Sequence, residues 1–170
     1  MLTLGVETSC DDTAAAVLQD GTKILSNVVS SQDQVHGAYG GVVPELASRQ
    51  HIRNILPIID AALENAGVKL ADLDGIGVTY GPGLVGSLLV GLSLVKGISF
   101  RSGIPYVGVN HLEAHLLAIQ LEHVVAFPYI ALLASGGHTL LYRVNDIGNY
   151  LHLGGTRDDA AGEAYDKVAK

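Results

Sequence analysis

The chain has little of three things whose absence restricts its function: cysteine, positive charge and long apolar runs. Cys10 is the only cysteine among 170 residues, so no disulfide can form within the chain, and we expect a reducing, cytoplasmic setting. No uninterrupted apolar stretch reaches the roughly 18 residues of a membrane span. The start, from Met1 to Gly5, lacks the basic segment of a signal peptide and runs directly into a predicted strand. These absences exclude a disulfide scaffold and argue against a membrane protein.

Positive charge is scarce, because 10 Lys and Arg residues stand against 17 Asp and Glu residues, for a net charge of −7. A domain that grips nucleic acid by itself is usually basic, since phosphate contacts dominate its affinity. The densest basic cluster, Arg49 to Arg53, is too small to form a patch. If the protein acts on RNA, another component must help to hold the RNA.

Apolar and polar segments alternate along the first part of the chain in the manner of an α/β protein. Hydrophobic residues make up 48% of the chain and charged residues only 16%, which suits a sheet covered on both faces. The predicted elements follow the order βββαβαβα of ribonuclease H-like domains. They are strands at Leu2–Glu7, Thr13–Leu18 and Lys23–Ser30, a loop at Ser31–Val43, a helix at Pro44–Ala66 kinked at Pro57, a strand at Gly75–Tyr80, a helix at Gly83–Phe100, a strand at Pro105–Val109 and a helix at Asn110–Leu121.

The opening pattern then repeats. Strands are predicted at Tyr129–Ala134, Thr139–Val144 and Asn149–Leu153, followed by a helix from Asp158 to Lys170. A second copy of the same domain therefore begins near Phe127, so that residues 1–126 form a first lobe and residues 127–170 the start of a second. Two such lobes define the actin/Hsp70/hexokinase-like α/β fold. The copy stops at its first helix, and we expect the chain to be part of a longer protein.

Each predicted lobe opens with a hairpin whose turn is polar. In the actin-like architecture these turns point at phosphates, because small residues let backbone N–H groups approach an anion. Thr8-Ser9 and Ser135-Gly136-Gly137 both suit this use, while Asp11 and Asp12 suit a metal or a metal-bound water. Either turn alone is most simply an ordinary polar turn. Their equivalent positions in a duplicated pattern favour a functional interpretation.

His111 and His115 stand four residues apart at the start of a predicted helix, which places both imidazoles on one helix face within reach of one metal. Glu113 points away from that face. The zinc-protease pattern H-E-x-x-H fails, because position 112 is Leu. Two ligands do not complete a site, and the third is either His138 or a residue beyond this chain. The alternative is two polar residues at an exposed helix start.

The segment from Gly81 to Gly86 matches the dinucleotide pattern G-x-G-x-x-G between a strand and a helix. The following strand ends in Asn110 rather than in the acid that would bind a ribose, and the motif follows the fourth strand of its unit. The Walker pattern also fails, because the residue directly before Lys96 is Val95 rather than Gly. We therefore favour packing, with Gly86, Ser87 and Gly91 forming a small-residue face on which another helix can lie close.

Taken together, six segments resemble the TsaD family of tRNA threonylcarbamoyladenosine transferases. The likeness covers the whole chain, and family members are about twice as long. The segments are Glu7–Asp11, Gly40–Arg49, Gly81–Gly86, His111–His115, Ser135–Thr139 and Asp158–Lys167.

The resemblance implies an actin-like fold and transfer of a threonylcarbamoyl group from threonylcarbamoyl-AMP to N6 of adenosine 37 in tRNAs that read ANN codons. It implies one divalent metal, iron or zinc, held by His111, His115 and an Asp outside this chain, and it makes Asp11, with Ser9, the catalytic candidates. It also implies a TsaB-like paralogue and a TsaE-like ATPase as partners, with tRNA bound through the complex. The residues matching the adenylate pocket are Ala134, Ser135, Gly136, Gly137, His138 and Asp166.

For such an activated substrate, a metal would act as a Lewis acid and the Ser135–Gly137 turn would stabilise developing negative charge, so no protein nucleophile is required. By itself the chain is expected to be inactive. One alternative is a catalytically silent dimerisation partner of the same fold, and another is a sugar or acetate kinase. The His pair argues against both, because neither needs it.

Association is predicted through two helices, residues 44–66 and 83–100. On the second, Leu84, Leu88, Leu92 and Val95 form one apolar stripe, and Gly86, Val90 and Ser93 form a smaller one. An exposed second stripe would mark an interface. We expect a homodimer of the isolated chain, or a heterodimer with the paralogue, built as a four-helix bundle. The alternative is that both stripes are buried within the lobe.

Overall fold

The fold is described from a computed structural model, in which residues 1–169 are defined well enough to describe. Eight strands and five α-helices occur within that range, with short 3-10 turns at Leu70–Asp72 and Ala118–Leu121. The strands are β1 (Leu2–Glu7), β2 (Thr13–Gln19), β3 (Lys23–Ser30), β4 (Gly75–Gly81), β5 (Tyr106–Asn110), β6 (Tyr129–Ala134), β7 (Thr139–Asp146) and β8 (Asn149–Gly155). The helices are α1 (Asp33–Gly37), α2 (Pro44–Ala66), α3 (Val85–Ser102), α4 (His111–Leu117) and α5 (Ala161–Ala169).

The chain divides into two compact units, one from Met1 to His111 and one from Leu112 onward. The division of the fold into lobes at residue 126 stays a prediction. The first unit holds a five-stranded sheet in the order β3-β2-β1-β4-β5. Strand β1 runs antiparallel to β2 and parallel to β4, which in turn runs parallel to β5. The predicted meander followed by crossovers is confirmed.

Helices α2 and α3 pack on this sheet and on each other. The core beneath them consists of alternate strand residues and one face of each helix, as amphipathic patterning requires. Its fully buried members include Leu4, Val17, Ile76 and Val95. By length and composition alone α3 is also apolar enough to cross a membrane, a test that core helices of soluble proteins also pass.

The ends of α2 follow from local sequence. Pro44 occupies the first turn, where its missing N–H costs nothing, and Gly67 closes the helix in the left-handed region at φ 68°. The helix continues through Pro57 to Ala66.

One sequence expectation is wrong, because the segment predicted as loop, Ser31–Val43, contains the one-turn helix α1. Buried side chains hold it. His36 Nε2 lies 3.1 Å from the side-chain oxygen of Gln32, and His36 Nδ1 accepts the backbone N–H of Val43 at 3.2 Å. A single turn is too short to show helical periodicity, so the sequence pattern does not reveal it.

The second unit contains a three-stranded antiparallel sheet in the order β6-β7-β8, followed by α5. This meander has the same antiparallel order as β1-β2-β3, as the repeated pattern predicted. Helix α5 starts at Ala161, three residues later than predicted, and the end of the predicted helix at Lys170 lies outside the described residues. The predicted helix over residues 110–121 is a shorter α4 followed by a 3-10 turn.

Candidate active site

The turn after β1 is built by close backbone approach. Ser9 is buried, its N–H donates to the Glu7 carboxylate, and its carbonyl accepts the N–H of Leu84 at 2.7 Å. A Cβ on Gly83 would lie 2.5 Å from the Ser9 carbonyl oxygen, so only glycine fits there. The glycine-rich segment therefore packs against the turn, as the packing interpretation expects.

A buried histidine on α2 fixes the other end of this turn. His51 is fully buried, and its Nε2 lies 3.0 Å from the carbonyl oxygen of Cys10. A carbonyl only accepts, so Nε2 carries the proton. In the neutral ring Nδ1 then accepts from the Thr13 hydroxyl, 2.8 Å away. The residues that flank Asp11 and Asp12 are thus tied to α2.

Cys10 itself is a poor nucleophile. Desolvation of the thiol, followed by the hydrogen bond and negative charge of Asp11, raises the pKa of Cys10 to about 12, although the residue as a whole is exposed. The thiol therefore stays protonated near neutral pH, and thiolate chemistry is not available at this turn. Asp11 lies partly exposed beside it, at the position the resemblance makes catalytic.

His111 meets a carboxylate at the end of the sheet. Its Nδ1 lies 3.2 Å from Glu7 Oε2 and 3.1 Å from the Ser9 hydroxyl. The same Glu7 oxygen accepts the Thr79 hydroxyl at 2.7 Å. Burial raises the pKa of Glu7, but hydrogen bonds from His111, Thr79 and Ser9 outweigh it and hold this pKa at about 2. A predicted metal ligand and a predicted catalytic residue therefore share one polar cluster.

The small residues of α3 contribute to the first unit's own packing, whereas the interface predicted through α2 and α3 stays a prediction. A Cβ on Gly91 would lie 2.6 Å from the Thr8 hydroxyl, which donates to the carbonyl of Ser87 at 2.9 Å. A Cβ on Gly86 would meet the Ser48 hydroxyl of α2 at 2.5 Å. Another helix does lie close at Gly86, and it is α2 of the same unit.

The stripes predicted on α3 are also placed differently. Val90 packs against the core, as does Leu92, so the smaller predicted stripe is not an exposed apolar face. The exposed apolar side chains of α3 are instead Val85, Leu89 and Phe100. On α2 they include Ile52 and Leu56.

In the second unit the start of α5 closes on the second hairpin turn. Ser135 N–H donates to the His138 carbonyl at 2.7 Å, and Gly162 N–H donates to the Ser135 carbonyl at 3.2 Å. A Cβ on Gly162 would lie 2.7 Å from the Cα of Gly136. Glycine at 162 and at 136 therefore lets the first turn of α5 sit against the Ser135–His138 turn.

A cavity of about 190 Å³ lies beside this turn. It is lined by His115 and Leu116 of α4 and by residues 131–135. The sequence separates His115 from Ser135 by twenty positions, and the fold brings this predicted metal ligand to the predicted substrate-binding residues Ala134 and Ser135. That juxtaposition is the strongest feature of the candidate site.

Glu113 points into the second unit's sheet. The Tyr150 hydroxyl donates to its carboxylate at 2.6 Å and accepts the N–H of Gly148 at 2.8 Å. Burial, and then Glu113, raise the pKa of Tyr150 to about 12, so the donating hydroxyl keeps its proton. Glu113 is thereby used as an anchor for α4, in line with the expectation that it leaves the face of the histidine pair.

Two further predicted site residues, Asp166 and His138, do not line the cavity. Asp166 lies exposed on α5, and His138 closes the turn through its backbone. Within residues 1–169 no group of three His, Cys, Asp or Glu side chains is arranged to hold a metal ion. His138 is therefore not grouped with His111 and His115 in the described part of the chain, and the third ligand stays a prediction.

Sequence reasoning missed Glu7, Thr79 and His51 as parts of the site. In the sequence Glu7 stands out only as the end of a predicted strand and the start of a matching segment. The signal for Glu7, Thr79 and His111 was available, because each stands at the carboxyl end of a strand predicted to be buried. His51 had no signal, since a histidine on the buried face of a helix has the same pattern whatever it contacts.

A duplicated opening hairpin, a ribonuclease H-like sheet and polar turns at its carboxyl end define a protein of the actin/Hsp70-like class. Solved structures agree on this fold. YeaZ from Pseudomonas aeruginosa matches 90% of this chain and 64% of its own with a TM-score of 0.59 at 22% identity. The ethanolamine utilization protein EutJ from Carboxydothermus hydrogenoformans matches 99% and 56% with a TM-score of 0.56 at 14% identity.

The family model of TsaD, tRNA N6-adenosine threonylcarbamoyltransferase, matches residues 23–170, and the chain belongs to this family. A curated relative of the same description from Geobacter sulfurreducens is 61% identical over all of this chain and 50% of its own length. The chain thus spans about half the length of the curated relatives it matches. The predicted family is confirmed, and the match favours it over the kinase and silent-partner alternatives.

Proposed function

We propose that the full-length protein transfers the threonylcarbamoyl group from threonylcarbamoyl-AMP to N6 of adenosine 37 in tRNAs that read ANN codons. The observation that carries the proposal is the cavity that places His115 beside Ala134 and Ser135. The 59–61% identity to relatives described as this transferase supports the same reaction. Because the chain spans half of such a protein, we propose that it is inactive alone.

The Ser135–His138 turn suits the phosphate and the developing negative charge of the adenylate. Gly136 and Gly137 carry no side chain, so an anionic group can approach their backbone closely. The turn is braced by its own hydrogen bonds and by Gly162 at the start of α5. A braced turn costs little reorganisation when charge develops, which is how such donors accelerate acyl transfer.

His111 and His115 are the residues that would hold the divalent metal, iron or zinc. Both are imidazole donors on α4, and His111 has a carboxylate at Nδ1, as histidines that ligate a metal through their other nitrogen usually have. The donor set therefore fits a nitrogen-ligated metal whose remaining ligand lies outside this chain. When bound, the metal would supply Lewis-acid polarisation of the carbamoyl oxygen.

Partners are part of the proposal. With a net charge of −7 the chain offers little attraction to phosphate, so we assign tRNA binding to a complex with a TsaB-like paralogue and a TsaE-like ATPase in the cytoplasm. The exposed apolar side chains of α2 and α3 support a helical interface with such a paralogue or with a second copy. They are Ile52, Leu56, Val85, Leu89 and Phe100.

The test is reconstitution of the full-length protein with its partners, tRNA and threonylcarbamoyl-AMP, with the modified nucleoside measured by mass spectrometry. We expect His115→Ala to lower the rate about 100-fold, a typical loss when a group that stabilises transition-state charge is removed. His123→Ala is the matched control, because His123 is exposed on the same unit and does not line the cavity. Equal activity of the two variants would contradict the proposed site.

A further inference from the structure

Three parallel strands end side by side in the first unit. The register pairs Val6 with Val78, so the next residues, Glu7 and Thr79, are neighbours at the carboxyl end of β1 and β4. Strand β5 ends at Asn110 opposite Gly81, and His111 follows directly. Because carboxyl ends of parallel strands meet at one edge of a sheet, this register alone brings the three side chains together.

The hydrogen bonds assign a use to each atom of the Glu7 carboxylate. One oxygen accepts the backbone N–H of Ser9. The other accepts the Thr79 hydroxyl at 2.7 Å and lies 3.2 Å from His111 Nδ1. The Thr79 and Ser9 contacts fix the carboxylate from both sides, so its position does not depend on His111.

This contact bears on which ring nitrogen of His111 carries the proton. An ionised carboxylate can only accept, and an unprotonated Nδ1 facing it would set two lone pairs against each other. The Ser9 hydroxyl, 3.1 Å from the same Nδ1, offers the opposite arrangement, in which it donates to an unprotonated Nδ1 and Nε2 carries the proton. The charge of Glu7 favours the first arrangement, and Ser9 then accepts or turns elsewhere.

We propose that Glu7 is a positioning residue that keeps the proton of His111 on Nδ1 and thereby makes Nε2 the metal-ligating nitrogen, with Thr79 holding Glu7 in place. The inference rests on the proposed metal site and deepens it. Glu7 would then be the carboxylate that accepts the second ring N–H of a metal-bound histidine and orients the ring, as is usual at such sites. It also links the first hairpin turn to the metal through Ser9.

The first experiment reads the tautomer directly. Long-range ¹H–¹⁵N correlation spectra of the metal-free full-length protein, with His111 assigned by comparison with His111→Asn, report which ring nitrogen carries the proton. We expect the Nδ1–H form in the wild type and a shift toward the Nε2–H form in Glu7→Gln. Observation of the Nε2–H form in the wild type would overturn the proposal.

The second experiment measures metal affinity by titrating the metal-free full-length protein with Zn²⁺ or Co²⁺. We expect Glu7→Gln to weaken binding about 10- to 100-fold, the usual cost of losing the orienting partner of a ligand. The glutamine keeps the size of the side chain and one acceptor oxygen, so the fold is retained. Thr79→Val, which frees Glu7 on one side, should weaken binding in the same direction and less.

Asp74→Asn is the matched control. Asp74 is the carboxylate at the opposite end of β1, where it accepts the N–H of Leu2 at 2.6 Å, and its variant should bind metal as the wild type does. If Glu7→Gln bound metal with wild-type affinity while His111→Ala plus His115→Ala lost it, the positioning role of Glu7 would be refuted. The proposed metal site would stand. Retention of a full equivalent of metal in that double histidine variant would refute the proposed metal site itself.

Discussion

The hydrogen bond between Thr13 and His51 allows the anchoring of the first turn to be tested by one small substitution. Both residues are fully buried, and Thr13 Oγ1 lies 2.8 Å from His51 Nδ1. Thr13→Val keeps the branched shape and the strand propensity but removes the donor. His51 cannot turn to find another, because its Nε2 is held by the Cys10 carbonyl at 3.0 Å.

The magnitude follows from what is left behind. A buried polar atom without its partner costs about 1–3 kcal/mol, and little is regained because Val fills the same space. A loss of about 2 kcal/mol in the free energy of unfolding corresponds to a fall in Tm of about 4–8 °C for a domain of 150–250 residues. The pair lies beneath the turn, so the loss should also loosen the Cys10 and Asp11 backbone.

Calorimetry or urea unfolding of the metal-free protein measures this loss, with Thr22→Val as control. Thr22 is exposed at the turn before β3, and its variant should stay within about 0.5 kcal/mol of the wild type. In a His51→Leu background the cost of Thr13→Val should shrink, because no imidazole remains unpaired. If Thr13→Val matched Thr22→Val in stability, or its cost persisted in the His51→Leu background, the reasoning would be refuted.

The remaining predictions concern α3 and the first turn. Gly91→Ala should lower the free energy of unfolding by about 2 kcal/mol more than Gly97→Ala does. The added Cβ would lie 2.6 Å from the Thr8 hydroxyl at position 91, whereas at position 97 nothing lies within 4 Å. Equal unfolding free energies of the two variants would contradict the packing of Gly91. The isolated chain should form a dimer that Val85→Glu weakens and Val124→Glu does not, since both valines are exposed but only Val85 lies on α3. Light scattering measures this association. A monomer at high micromolar concentration, or a dimer that Val85→Glu does not weaken, would exclude this interface. Cys10 should react with iodoacetamide at pH 8 at least about 100-fold more slowly than free cysteine and faster as the pH rises toward its pKa of about 12, because only the thiolate reacts; a rate like that of free cysteine would show that the thiol is not perturbed.

Much of the fold could be predicted because it is written in local patterns. The start of α2 at Pro44 and its end at Gly67 are set by local backbone chemistry. Every predicted strand is present, with small shifts at its ends. The family could be predicted because six short segments of the chain, the two polar turns among them, resemble segments of the TsaD family. The one-turn helix α1 could not, because a single turn held by the side chain of His36 has no helical periodicity.

The sequence by itself determined the order of elements, the duplicated hairpin and the spacing of His111 and His115. The tertiary structure decided which residues lie next to these features. Glu7, Thr79 and His111 meet because β1, β4 and β5 run parallel in one register, and His115 reaches Ser135 because α4 and β6 line one cavity. Gly91 is a packing glycine because Thr8 lies against it. Residues far apart in sequence acquire neighbours only through strand register and helix packing, whereas a turn or a helix end is fixed by the few residues that form it.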